Sequence, residues 1–212
     1  MATDYTEFFK ELRPDMPQCP DDVLLNAVRN AAIEFCERTQ IVVVQHDPVS
    51  SVADQGTYSF APPTDTEVCS IEQAYYDGSP LTPKTIAELA KLFSDWRSET
   101  GTPSYITQIN ETEFILVPIP VDPVIDGIQL LVTVKPTRDS EDADDVLFKK
   151  YLDGIVAGAK KRLFAMRGRP WSDAGLATYN ENAFNRFVQS ARNRKLLASG
   201  QGGGVVAPRA LA

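Results

Sequence analysis

Residues 142–200 read DADDVLFKKYLDGIVAGAKKRLFAMRGRPWSDAGLATYNENAFNRFVQSARNRKLLASG, two helical periods joined by a turn. In the first, Val146, Leu147, Tyr151, Ile155, Ala159, Leu163 and Met166 recur at the spacing that puts side chains on one helix face. Asp142, Asp144 and Asp145 stand at its start and bases at its end, as the helix dipole favours, and Gly168 followed by Pro170 stops it. In the second, Ser172 is the expected N-cap and the stripe runs through Leu176, Tyr179, Ala183, Phe187 and Ala191. Only about four residues part the two periods, so they are expected to pack as an antiparallel hairpin.

A third helix comes from the other end of the chain. In CPDDVLLNAVRNAAIEFCERTQ, residues 19–40, Pro20 suits the first helical position and Asp21 and Asp22 complement the dipole. Leu24, Val28, Ala31, Ala32 and Phe35 form one apolar stripe, on a helix of about five turns. Before it, Tyr5, Phe8, Phe9 and Leu12 suggest a short helix stopped by Pro14 and Pro17.

Between these ends the period changes from helical to alternating. IVVVQHDPV (41–49), TYSFAPP (57–63) and EVCSIEQAYYDGSPL (67–81) are β-rich, and the last turns at Asp77-Gly78. TPKTIAELAKLFSDWRSETG (82–101) interrupts them as a helix: Thr85 and Glu88 have capping-box spacing, and Ile86, Leu89, Phe93 and Trp96 share a face. SYITQI, EFILVPIP and GIQLLVTVKPT then resume the strands. The expected fold is α+β. An antiparallel helical bundle is formed by the two ends of the chain, 1–40 and 137–199. A small β domain is inserted over 41–136 with one helix at about 83–98, and an extended Gly-rich C-terminal arm covers 200–212.

The 212 residues leave room for one ordinary domain or two small ones, and a hydrophobic fraction of 43% suffices for a core. With no run of about 18 apolar residues and no basic or apolar leader in MATDYTEFFKEL, neither a membrane span nor a signal peptide is expected, and the chain reads as cytosolic. Cys19, Cys36 and Cys69 are odd in number and lack CxxC spacing, so they read as buried or partly buried thiols. Charge is divided unevenly. Residues 1–148 carry 9 Lys+Arg against 26 Asp+Glu, whereas residues 149–212 carry 12 against 3. Such polarity suits contacts between surfaces of opposite sign, although solvated faces account for most charge runs.

Groups that could perform chemistry are scarce. His46, the single histidine, stands before Asp47-Pro48 without a GxSxG partner and reads as an exposed turn residue. Asp142, Asp144 and Asp145 lack the EF-hand order, and Gly202, Gly203 and Gly204 are followed by valines where a phosphate loop needs Lys-Ser/Thr. No catalytic residue, cofactor site or metal site is expected. A basic surface is the stronger feature: Lys160, Lys161, Arg162, Arg167, Arg169, Arg186, Arg192, Arg194 and Lys195 concentrate on the hairpin. They could meet phosphates or an acidic protein partner, but no nucleic-acid reader motif accompanies them and the acidic remainder would repel DNA. Trp171 reads as a lid on the bundle core or an interface anchor, with the lid favoured.

Five segments taken in order, CPDDVLLNAVRNAAIEFCERTQI, TYSFAPPTDTEVCSIEQAYYDGSPLTPKT, GTPSYITQINETEFILVPIP, VTVKP and YLDGIVAGAKKRLFAMRGRPWSD, resemble the adaptor proteins of tailed-phage head-to-tail connectors. The likeness covers residues 18–195, and its most specific marks are Tyr58-x-Phe60-x-x-Pro63, Asp77-Gly78-x-Pro80-Leu81 and Gly168-Arg169-Pro170-Trp171-Ser172-Asp173. The resemblance implies a structural protein without enzymatic activity or cofactor. It implies a dodecameric homo-oligomeric ring beneath the portal protein, in the virion neck, assembled in the host cytoplasm. Such a ring extends the DNA channel without sequence-specific binding and carries a nozzle or tail protein.

The resemblance also implies that a C-terminal extension binds the portal. Here Gly202, Gly203 and Gly204 would release an arm in which Val205, Val206, Pro208 and Leu211 fill pockets and Arg209 pairs with an acid. Extended, residues 200–212 would reach roughly 40 Å. The alternatives are another neck component, a head-completion or stopper ring, and a DNA-binding accessory protein.

Overall fold

Three helices of this chain approach one another so closely that a Cβ at Gly158 of the central one would overlap its neighbours. The computed structural model describes residues 2–198, so the expected arm over 200–212 lies outside the described residues. Among these the fold is mixed α+β and divides into two units, residues 5–41 with 146–198 and residues 2–4 with 42–145. The α-helices are α1 (Phe9–Leu12), α2 (Asp21–Thr39), α3 (Ile86–Leu92), α4 (Asp145–Phe164) and α5 (Ala174–Ala198), with a 3₁₀ turn at Tyr5–Phe8.

In the helical unit, α2 buries Leu24, Val28, Ala31, Ala32 and Phe35, the stripe its spacing predicts, and Ala27 beside them. Helix α4 buries six successive residues from Gly154 to Ala159 and is therefore enclosed on all sides there. A Cβ at Gly158 would stand 2.7 Å from the Phe184 ring and 2.9 Å from Ala31 Cβ. At Gly154 the corresponding contacts, to Phe35 and Phe187, are 3.2 Å. Helix α4 bends at Tyr151 (φ −127°, ψ 19°), whose ring packs 5.3 Å from that of Phe35. The N-terminal turn adds Tyr5, Phe8, Leu12 and Met16 to the core, with Phe8 edge-on to Phe148 at 5.3 Å.

Two expectations for this unit need correction. The buried face of α5 is Asn180, Ala183, Phe184, Val188 and Ala191, while Leu176, Tyr179 and Phe187 stay 44%, 64% and 38% exposed. The helix is rotated so that Phe184, which the expected stripe omits, faces Gly158. Its cap is Asp173, not Ser172. Asp173 Oδ1 accepts the Leu176 N–H at 2.9 Å, and the Asp173 N–H donates to the Phe164 carbonyl at 3.0 Å, closing the turn.

The second unit is built on β1 (Ala2–Asp4), β2 (Val43–Gln45), β3 (Thr57–Ser59), β4 (Thr66–Tyr76), β5 (Ser79–Pro83), β6 (Thr100–Gly101), β7 (Tyr105–Gln108), β8 (Glu113–Val117), β9 (Ile119–Pro120), β10 (Ile128–Pro136) and β11 (Asp142–Asp144). Seven of them form one curled sheet in the order β2-β10-β4-β5-β7-β8-β3. The long β4/β10 pair skips register twice, making Glu72 and Cys69 the extra residues of two bulges. Bulges bend a strand and increase its twist, which accounts for the curl. Asp77 and Gly78 both have positive φ (47° and 74°), the backbone a two-residue β4–β5 hairpin requires. Between β5 and its parallel partner β7, the chain crosses through α3.

Helix α3 has the expected Thr85/Glu88 capping box but ends at Leu92, far short of the expected span to about residue 98. Phe93 turns extended (φ −137°, ψ 123°), and Trp96 still reaches Leu89 and Val117 to close a local cluster. Asp142 and Asp144 belong to β11, paired with β1, so only Asp145 of the three acids begins the helix. Its carboxylate accepts from Thr3 Oγ1 at 2.6 Å. This strand pairing draws residues 137–145 into the β-rich unit.

Substituting Gly158 by Ala is expected to destabilise the protein by about 2 kcal/mol, because overpacking against Phe184 and Ala31 outweighs the roughly 1 kcal/mol of helix propensity gained. Gly154→Ala, with contacts a few tenths of an ångström longer, is expected to lie within about 1 kcal/mol of the parent. Urea unfolding midpoints of the two variants measure the contrast.

Candidate interaction surface

The nine hairpin bases separate into two groups once folded. Lys160 pairs with Asp15 at 2.7 Å, and Lys161 and Arg162 both reach Glu34 at 2.7 Å. Arg38 approaches the same carboxylate at 3.2 Å and donates to Asn185 Oδ1 at 2.8 Å. Glu34 thereby ties α2 to α4, and Arg38 carries the link to α5. Burial would raise the Glu34 pKa, but hydrogen bonds and charge from Lys161, then Arg162, outweigh it and hold the carboxyl below its ordinary range. Beside this node lies a cavity of about 320 Å³ lined by Glu34, Lys161, Arg162, Ala165, Ala177, Thr178 and Glu181.

Arg167, Arg169, Arg186, Arg192 and Arg194 are exposed, and Lys195 is half-buried. Arg169 lies over the half-buried Trp171 ring at 6.0 Å, so this residue caps its turn only in part. Along the same helix run the exposed Leu176, Tyr179 and Phe187. At 100° per residue these three fall within about 80° of one another, with Arg186 and Arg194 on the same side. Sequence reasoning assigned this stripe to the core because the apolar pattern of α5 is wider than the face its own unit covers. Gly202, Gly203, Gly204, Val205, Val206, Pro208, Arg209 and Leu211, expected from the sequence to form a portal-binding arm, lie outside the described residues.

A second exposed apolar patch was not anticipated. The loops at 50–55 and 120–127 are stitched together: Ser51 N–H donates to the Val124 carbonyl at 2.9 Å, Ser51 Oγ accepts the Val124 N–H at 2.9 Å, and Asp54 N–H donates to the Pro120 carbonyl at 2.9 Å. Val52, Val121 and Ile125 project from them 51%, 51% and 86% exposed, among exposed Asp54, Asp122 and Asp126. The signal was present in PVDPVID, residues 120–126, an apolar run too rich in Pro and Asp to be a strand.

His46 is buried, 1% exposed, which corrects the expected exposed turn residue. Its Nε2 accepts the Ala61 N–H at 2.6 Å and its Nδ1 faces the Asp47 carbonyl at 2.6 Å, so both ring nitrogens are engaged in backbone bonds. The ring acts as a staple, edge-on to Phe60 with ring centroids 6.2 Å apart. Cys19 and Cys36 are buried and Cys69 is half-buried, with no disulfide among them. Among the described residues no group of His, Cys, Asp and Glu could hold a metal ion, and no helix is long and apolar enough to cross a membrane. Two exposed apolar surfaces remain, one on α5 rimmed by arginines and one at a loop tip rimmed by aspartates.

The model of the SU10 adaptor protein family matches residues 3–207 of the chain. No curated protein matches it.

Glu34→Gln is expected to cost about 2 kcal/mol at neutral pH, since it strands Lys161 and Arg162 without a counter-charge. Because the folded carboxyl titrates below its unfolded value, the Glu34 contribution is full above that value and is lost as pH falls through the folded one. The stability gap between parent and Glu34→Gln should therefore narrow below about pH 4, as followed by urea unfolding at a series of pH values.

Proposed function

The chain belongs to the SU10 adaptor protein family, structural adaptor proteins of phages, and from this premise we propose that it forms the adaptor ring of the head-to-tail connector. Family membership over residues 3–207 is the observation that carries this reading. Copies of the chain, twelve by the resemblance, dock on the portal protein in the virion neck, extend the DNA channel and present a platform to the nozzle or tail protein. DNA passes through without sequence-specific binding, and assembly takes place in the host cytoplasm.

Two parts of the chain make the attachment. Val205, Val206, Pro208 and Leu211 of the arm fill apolar pockets on the portal, with Arg209 paired to an acid and Gly202, Gly203 and Gly204 as the hinge. Twelve such arms on one symmetric partner act together, so each needs only modest affinity. The exposed arginines Arg167, Arg169, Arg186, Arg192 and Arg194 face an acidic neighbour, portal or adjacent subunit. Lys160, Lys161 and Arg162 contribute less to that field because Asp15 and Glu34 already neutralise them. Acidic side chains from residues 1–148 border the channel and keep DNA from adhering.

The experiment is co-sedimentation with the portal ring of the same phage, using the full chain beside a version ending at Ser199. We expect about one copy per portal subunit for the full chain, at least tenfold weaker attachment for the truncated one, and weakening from low to high salt. Equal binding by both versions would remove the arm from the account. Binding by neither would place the chain elsewhere in the neck or outside it.

A further inference from the structure

Two exposed patches of this chain are complementary in chemistry. The α5 face offers Leu176, Tyr179 and Phe187 with Arg186 and Arg194 beside them. The loop tip offers Val52, Val121 and Ile125 with Asp54, Asp122 and Asp126 beside them. Each has an apolar centre that water solvates poorly, and the charges around the two are opposite in sign. Neither patch suits itself: two α5 faces would oppose arginines, and two loop tips would oppose aspartates.

We propose that the loop tip of one copy docks on the α5 face of the next, with Ile125 seated against Tyr179 and its neighbouring apolar residues, and with Asp122 and Asp126 facing Arg186 and Arg194. The proposal rests on the ring reading above and names the surfaces by which neighbouring copies meet. A contact between two different patches is heterologous, and when its rotation closes it generates a ring. It also gives the split of charge along the chain a use. Like-with-like dimers are disfavoured by repulsion, while head-to-tail addition brings acidic and basic rims within a Debye length.

The loop tip supplies the better anchor. Ile125 is 86% exposed on a loop tied down by the Ser51 and Asp54 hydrogen bonds, so seating it costs little conformational entropy. The α5 face supplies length: from Leu176 to Phe187 it runs about 16 Å along a straight helix, enough to receive a loop tip.

The test mixes two full-length variants on the portal ring, Ile125→Cys and a size-tagged Tyr179→Cys, under a mild thiol oxidant, with the parent chain as blank. A disulfide-linked heterodimer is expected from the mixture and not from either variant alone. Val43→Cys, another exposed β-unit position, serves in place of Ile125→Cys as the control. Adding Asp122→Lys and Asp126→Lys to the first variant should lower the yield about tenfold, and adding Arg186→Glu and Arg194→Glu to the second should restore it. That rescue separates a lost contact from a lost fold. A yield no higher than the Val43→Cys control, or a link from Tyr179→Cys to the portal instead, would overturn the contact. Chains that ring the portal without the 125–179 link leave the adaptor reading standing and remove only this interface. Chains that meet neither one another nor the portal overturn both.

Discussion

The close approach at Gly158 governs the helical unit. A hydrogen where any other residue carries Cβ lets Phe184 from α5 and Ala31 from α2 meet the backbone of α4, and Phe35 follows at Gly154. With α4 covered on all sides there, the rings of Phe35 and Phe184 pack directly against its glycines and fill the centre of the unit. The rotation of α5 is a consequence: with Phe184 directed at Gly158, the residues about 80° or more around the helix, Leu176 and Tyr179, are left facing solvent.

The same packing decides which charges remain exposed. Glu34 is carried on α2 to a place where Lys161 and Arg162 of α4 converge, and Arg38 reaches it from one turn further along α2. A carboxylate this well matched holds the helices in register, but it also withdraws positive charge from the surface. The bases at 167, 169, 186, 192 and 194 stay exposed, so the basic character of the hairpin is carried toward its turn and along α5. The helical unit thus separates an inner, paired set of cations from an outer set exposed to solvent.

In the β-rich unit the corresponding device is the bulged β4/β10 pair. Two extra residues in one long ladder curl the sheet, and the hydrogen bonds of Ser51 and Asp54 hold the loop tip firm. A family of structural adaptors needs rigid scaffolds with projecting contact points more than it needs a cavity with reactive groups. The single histidine illustrates this economy: both nitrogens of His46 are committed to backbone bonds, as a fixed strut would have them.

Much of this protein was legible in one dimension. Periodicity located α2, α4 and α5, Thr85 and Glu88 announced their capping box, and Asp77-Gly78 marked a hairpin, because each depends on residues within a few positions of one another. The ordered motifs likewise pointed to the adaptor family. Three-dimensional packing decided the rest. Which side of α5 is buried depends on a glycine some 26 residues away in the chain, a distance no helical-wheel argument spans. The short extent of α3 depends on Trp96 finding Leu89 and Val117 from an extended backbone. The burial of His46 depends on the Ala61 amide from another segment. Local sequence therefore determined which elements form and which faces could be apolar, while tertiary structure decided which apolar faces are covered, because coverage is a property of neighbours that sequence spacing does not record.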